Sequence, residues 1–126
     1  MKQLLITIAA VVLVGCGDPD GALIQSARDG DIEVVKQHLA AGTDVNTKDD
    51  HEYTPLHWAA MEGRREVAEL LISQGANVNA KNKLGSTPLH IAAYMKFDLA
   101  ELLIAKGATI NVTDDVIRTP LDDAIE

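Results

Sequence analysis

The chain has 126 residues and a formal charge of −8, with 19 carboxylates set against 11 lysines and arginines. That balance excludes the clustered-cation footprint of a nucleic-acid binder and argues against adsorption to anionic lipid head groups through the protein surface. A single cysteine excludes a disulfide within the chain, and the length suits one small domain.

Met1-Lys2-Gln3 is short and positive, and Leu4 to Val14 is apolar except at Thr7. A basic start, a short apolar run and small residues before a cut predict a secretory signal over residues 1–15. The run falls well short of the roughly 20 residues that a membrane-spanning helix needs. It ends in Leu13-Val14-Gly15-Cys16, which resembles the lipobox of bacterial lipoproteins. The resemblance implies cleavage before Cys16, a diacylglycerol thioether on its sulfur and, in many bacteria, an acyl chain such as palmitate on the new amino terminus. Each buried methylene contributes about 0.8 kcal/mol, so two or three chains hold firmly where one holds marginally. In enteric lipoproteins an Asp directly after the cysteine favours the inner membrane; here that residue is Gly17. The expected location is therefore an exported, lipid-anchored one at the outer membrane, facing the periplasm. Residues 16–21 are expected to form the lipidated cysteine and a tether of turn formers, Gly17-Asp18-Pro19-Asp20-Gly21.

From residue 22 onward the chain repeats itself. The first copy opens with Ala22-Leu23-Ile24-Gln25-Ser26-Ala27, turns at Arg28-Asp29-Gly30-Asp31 and marks a second helix with Ile32, Val35 and Leu39. In the second copy, Thr54 is a natural N-cap and Pro55 a first helical residue, predicting a helix from Pro55 to about Met61 with Leu56, Ala59 and Ala60 on its packing face. Glu62-Gly63-Arg64 makes the turn, Gly63 supplying a positive φ. Val67, Leu70 and Leu71 give the next helix an apolar stripe, ending near Gly75. The third copy restarts at Thr87-Pro88-Leu89-His90, but its turn, Lys96-Phe97-Asp98-Leu99, is one residue shorter and lacks glycine. A tighter or shifted turn is expected there, with Phe97 plugging the gap or exposed. Thr119-Pro120-Leu121-Asp122 begins a fourth copy that reaches only a first helix by Glu126.

Two Thr-Pro-Leu-His segments one period apart, with Gly42, Gly75 and Gly107 and the pairs Val45-Asn46, Val78-Asn79 and Ile110-Asn111 in step, resemble the ankyrin repeat, whose period is about 33 residues. The resemblance covers roughly residues 20–126. It implies an all-α solenoid of helix-turn-helix repeats with β-hairpin-like loops, built over residues 22–126 from about three repeats and a partial fourth. The family places glycine two residues before Thr-Pro. Only Gly85 keeps it, while Glu52 and Ile117 stand in the equivalent places, so those two fingers are expected to be less regular.

The same resemblance gives His57 and His90, with Thr54, Pro55, Thr87 and Pro88, a scaffolding role in place of a catalytic one. It implies partner contacts at loop tips and on the concave face of the first helices. Those positions are Asp50, His51, Tyr53, Met61 and Glu62 in the second repeat, Lys83, Leu84, Ser86, Tyr94 and Met95 in the third, and Asp115, Val116 and Arg118 in the fourth. Trp58 is expected in the core, though it is large enough to reach the groove. His38 and His51 lack metal-ligand spacing, and Asp49-Asp50, Asp114-Asp115 and Asp122-Asp123 lack the alternating oxygen donors of a calcium loop. No phosphate loop, nucleophile elbow or zinc-helix motif is present in the sequence. The expected protein is a monomeric scaffold with no cofactor, no metal and no nucleic acid, tethered to membrane through Cys16 and binding an unknown protein. Two competing classes stay open: an enzyme or small-ligand binder using Trp58, His57 and the acidic doublets, and a structural protein that stacks on itself through its carboxyl end.

Overall fold

A computed structural model of the chain describes residues 19–95 and 98–109. The leader with Cys16, the Lys96-Phe97 pair, and Asp115, Val116 and Arg118 lie outside the described residues. Six helices follow one another: α1 (Pro19–Asp29), α2 (Ile32–Ala40), α3 (Pro55–Glu62), α4 (Arg65–Ser73), α5 (Pro88–Met95) and α6 (Leu99–Ala105). They form three antiparallel pairs, and among the described residues there is no strand. None of these helices is long and apolar enough to cross a membrane.

Local chemistry sets the helix ends. Thr54 is extended at the N-cap of α3, where its hydroxyl oxygen accepts the His57 N–H, and Pro55 follows in the first turn. That arrangement satisfies one of the amide donors a helix start leaves unpaired. At the other end Gly63 takes a left-handed conformation, φ 69°, and its N–H bonds back to the last carbonyls.

Packing then joins the pairs. The inner helices α1, α3 and α5 stack directly on one another, and the outer helices α2 and α4 touch behind them. Ala27, Ala59, Ala60 and Ala92 are fully or almost fully buried in that stack. With only a methyl group each, they permit a close approach of neighbouring inner helices. Leu23, Leu56 and Leu89 fill the same layer, while Val35, Val67, Leu71, Leu99 and Leu103 turn the outer helices inward. Each repeat thus covers its neighbour's apolar face, the way a solenoid builds a core without a central one.

The asparagine of each Val-Asn pair ties one repeat to the next. Asn46 accepts the Asn77 N–H at 2.7 Å and donates to the Gly75 carbonyl at 3.3 Å. One repeat along, Asn79 accepts the Thr109 N–H at 2.8 Å.

Three expectations are corrected. Pro19, Asp20 and Gly21 open α1 and are not a turn-rich tether; proline suits a first helical position and Asp20 complements the positive helix start. The finger carrying Glu52 is as regular as the one carrying Gly85. Glu52 adopts φ 63° beside 74° for Gly85, and the bonding repeats itself. Asp49 Oδ1 accepts the N–H groups of His51 and Tyr53 at 3.0 and 2.9 Å, and Asn82 Oδ1 accepts those of Leu84 and Ser86 at 2.9 and 3.0 Å. The Asp49 N–H reaches the Tyr53 carbonyl, and the Asn82 N–H the Ser86 carbonyl, both at 3.0 Å. Three such bonds outweigh the roughly 1–2 kcal/mol that a left-handed L-residue costs. The third correction concerns Trp58, which is only half-buried and faces the groove described next.

Candidate interaction surface

The fingers are held to the helices by the Thr-Pro-Leu-His segments. His57 is fully buried. Its Nδ1 accepts the Thr54 N–H at 3.1 Å and the Thr54 hydroxyl at 2.9 Å, while Nε2–H donates to the Ser86 carbonyl at 2.9 Å. Burial pushes its pKa down to about 4, against the opposing pull of the Ser86 carbonyl. The imidazole is therefore a neutral crosslink between the second and third repeats and has no surface from which to act on a substrate. His90 repeats the local half of this arrangement, with Nδ1 accepting the Thr87 N–H at 3.1 Å. Thr54, Pro55, Thr87 and Pro88 are buried around the two rings.

In front of this scaffold lies a groove of about 430 Å³, lined by His51, Tyr53, Trp58, Met61, Lys83 and Leu84. Finger residues supply one wall and the inner helix α3 the other. The two fingers join edge to edge where the Lys83 N–H donates to the His51 carbonyl at 3.1 Å. Tyr53 packs obliquely on Trp58, with ring centroids 5.2 Å apart.

Trp58 is fixed from three sides. Its indole N–H donates to Asp49 Oδ2 at 3.0 Å, and the Arg28 guanidinium lies over its ring, 4.9 Å from the centroid. Arg28 also faces Glu62 at 4.0 Å. Burial pushes the Asp49 carboxyl upward, but the hydrogen bonds from Trp58, Tyr53 and His51 outweigh it and hold the pKa below the usual carboxylate value. The sequence marks Asp49 only as half of an acidic doublet and Arg28 only as a turn residue, neither as a support for Trp58. The recurrence of Asp49 and Asn82 at the start of successive fingers was the available signal for the first. Arg28, in the preceding repeat, had none.

Of the positions implied for partner contact, His51, Tyr53, Met61, Lys83 and Leu84 converge on this groove. Asp50 instead lines a neighbouring, more polar depression with Gly21, Ile24 and Lys48. Glu62 is exposed and paired with Arg28. Tyr94 and Met95 are exposed at the end of α5. Ser86 is half-buried, and its backbone is engaged by His57 and Asn82. Among the described residues, no cluster of three potential metal ligands forms.

The model of ankyrin repeats in three copies matches residues 23–114. The chain belongs to the ankyrin-repeat family. An ankyrin solenoid is generally an interaction domain and not a catalytic one. Similar curated proteins include a Vapyrin-like protein of Medicago truncatula, 46% identical over 41 residues, which cover 32% of this chain and 9% of that protein. Another is acyl-CoA-binding domain-containing protein 4 of Oryza sativa subsp. japonica, 51% identical over 39 residues, which cover 31% of this chain and 12% of that protein. The matched stretch is thus about a tenth of each relative's length.

Proposed function

We propose that this ankyrin-repeat protein is a lipid-tethered scaffold of the bacterial envelope that binds one partner protein through its fingers and inner helices. The observation that carries the binding half is the groove itself, preformed and walled by Tyr53, Trp58, Met61 and Leu84. Aromatic and methionine side chains are enriched at interfaces. A preordered surface loses less entropy on binding than a loop that must fold. The tether rests on Leu13-Val14-Gly15-Cys16 and on the short apolar run before it. Its role is to raise the local concentration of the solenoid at the membrane.

The two halves are tested separately. Crosslinking in intact cells, followed by purification of the tagged chain, should recover a partner with the wild type and lose it with Met61→Glu/Leu84→Glu. Recovery unchanged by those substitutions rejects this face as the binding site. For the tether, Cys16→Ser should move the protein out of the membrane fraction or leave its leader uncleaved. An unchanged membrane fraction rejects lipid anchoring.

A further inference from the structure

We propose that the groove takes an extended segment of the partner carrying a large apolar side chain flanked by lysine or arginine; this rests on the interaction-scaffold reading above. The walls decide the apolar part. Tyr53, Trp58, Met61 and Leu84 surround a space of about 430 Å³, enough for a large side chain and too small for a folded element. By repeat register, further exposed apolar residues stand on the next inner helix. Tyr94 occupies in α5 the place Met61 holds in α3, and is 59% exposed, beside Met95; Leu84 on the neighbouring finger is 62% exposed. Successive inner helices lie about 8–10 Å apart, and an extended chain covers that distance in about three residues. A segment with a second apolar residue about three positions from the first spans both repeats, whereas a compact small molecule fills only the groove.

Charge decides the flanks. Asp50 and Glu52 at the finger tip and Glu62 at the end of α3 are all exposed. The opposing charges are Lys83 in the wall, Lys48 beside Asp50 and Arg28 facing Glu62. Asp49 and the formal charge of −8 on the whole chain leave the balance acidic. The molecule already seats a cation here: Arg28 lies over Trp58 at 4.9 Å and faces Glu62 at 4.0 Å. Aromatic faces backed by carboxylates favour guanidinium and ammonium groups, and an acidic surface speeds their arrival.

Trp58 is the only tryptophan in the chain, so its emission reports occupancy of the groove directly. The purified full chain is titrated with three pools of degenerate peptides. The first carries two apolar residues three positions apart, flanked by lysine and arginine; the second keeps the apolar residues but has acidic flanks; the third keeps the basic flanks with serine at the apolar positions. The first pool should shift the emission saturably, with affinity falling roughly tenfold for each of the other two and with rising salt. Asp50→Lys/Glu52→Lys, at exposed positions that leave the core intact, should reverse the preference between the first two pools. Equal response to the basic and acidic pools, response to none, or an equal response to a small apolar probe such as naphthalene overturns the proposal. If the peptides fail while a crosslinked partner is still lost with Met61→Glu/Leu84→Glu, the scaffold reading stands and this one falls. If both fail, both fall.

Discussion

Nε2 of His57 donates to the carbonyl of Ser86 at 2.9 Å, crossing from one repeat to the next, while Nδ1 of the same ring accepts the Thr54 N–H. One imidazole thereby fixes a helix start and a finger of the following repeat, and does so only while neutral. A proton on Nδ1 faces an N–H donor.

That arrangement makes stability depend on pH with a definite sign. The pKa of His57 falls from 6.5 to about 4 on folding. Between those values the unfolded chain binds the proton and the folded chain does not, so stability rises with pH across the window. The contribution is complete above about pH 6.5. As pH falls, roughly 1.4 kcal/mol is lost by pH 5.5 and about 3 kcal/mol below pH 4. Burial lowers His38 as well, which adds in the same direction. Urea unfolding at several pH values measures the profile, and His57→Gln should lower its plateau and flatten its slope. An unchanged slope in that variant assigns the pH dependence elsewhere.

Glu52 carries a left-handed backbone, φ 63°, at the position where the next finger has Gly85. Replacing it with glycine removes roughly 1–2 kcal/mol of local cost, offset in part by the added freedom of glycine in the unfolded chain. Glu52→Gly should stabilise the protein by about 0.5–1 kcal/mol, raising Tm by a few degrees. Glu52→Ala, which keeps a Cβ, should not. A stabilised alanine variant points to charge and not backbone as the source.

Asp49 serves two atoms' worth of bonding: Oδ1 holds the finger backbone and Oδ2 holds Trp58. Asp49→Asn keeps the first, as Asn82 shows one repeat along, but sets an NH₂ against the indole N–H. The expected cost is about 1–3 kcal/mol, with a shift in Trp58 emission in the folded state. Loss of stability without an emission change contradicts this division of roles.

Gly30 sits at φ 78°, and a Cβ there would come within 2.8 Å of Arg64 Cδ. Arg64 donates from Nε to the Arg28 carbonyl at 3.1 Å. Gly30→Ala should cost about 1–2 kcal/mol from backbone strain, with a further part from the displaced arginine. The double variant Gly30→Ala/Arg64→Ala should show less than the sum of the single effects in denaturant unfolding. Additivity means the two do not interact.

Much of the architecture was legible because its causes are local. The Thr54-Pro55 helix start, the turn at Gly63 and the outer stripe of Val67 and Leu71 each depend on residues a few positions apart, and repetition multiplies the signal. Even the convergence of His51, Tyr53, Met61, Lys83 and Leu84 followed from their shared place in the repeat. Glu52 misled because the absence of glycine suggested an irregular finger. The bonds of the Asp49 side chain and backbone that overrule the strain become visible only with the loop closed.

Residue order and repetition were enough to establish the helix pairs and their capping, since each follows from short-range sterics and burial at a fixed period. Folding alone decided how Trp58 is presented. Its ring leaves the core because Asp49, nine positions earlier, accepts its N–H, and because Arg28, from the preceding repeat, covers its face. Neither partner stands in a spacing that marks it. The groove is thus a property of three repeats packed together, where side chains distant in the chain compete for one indole.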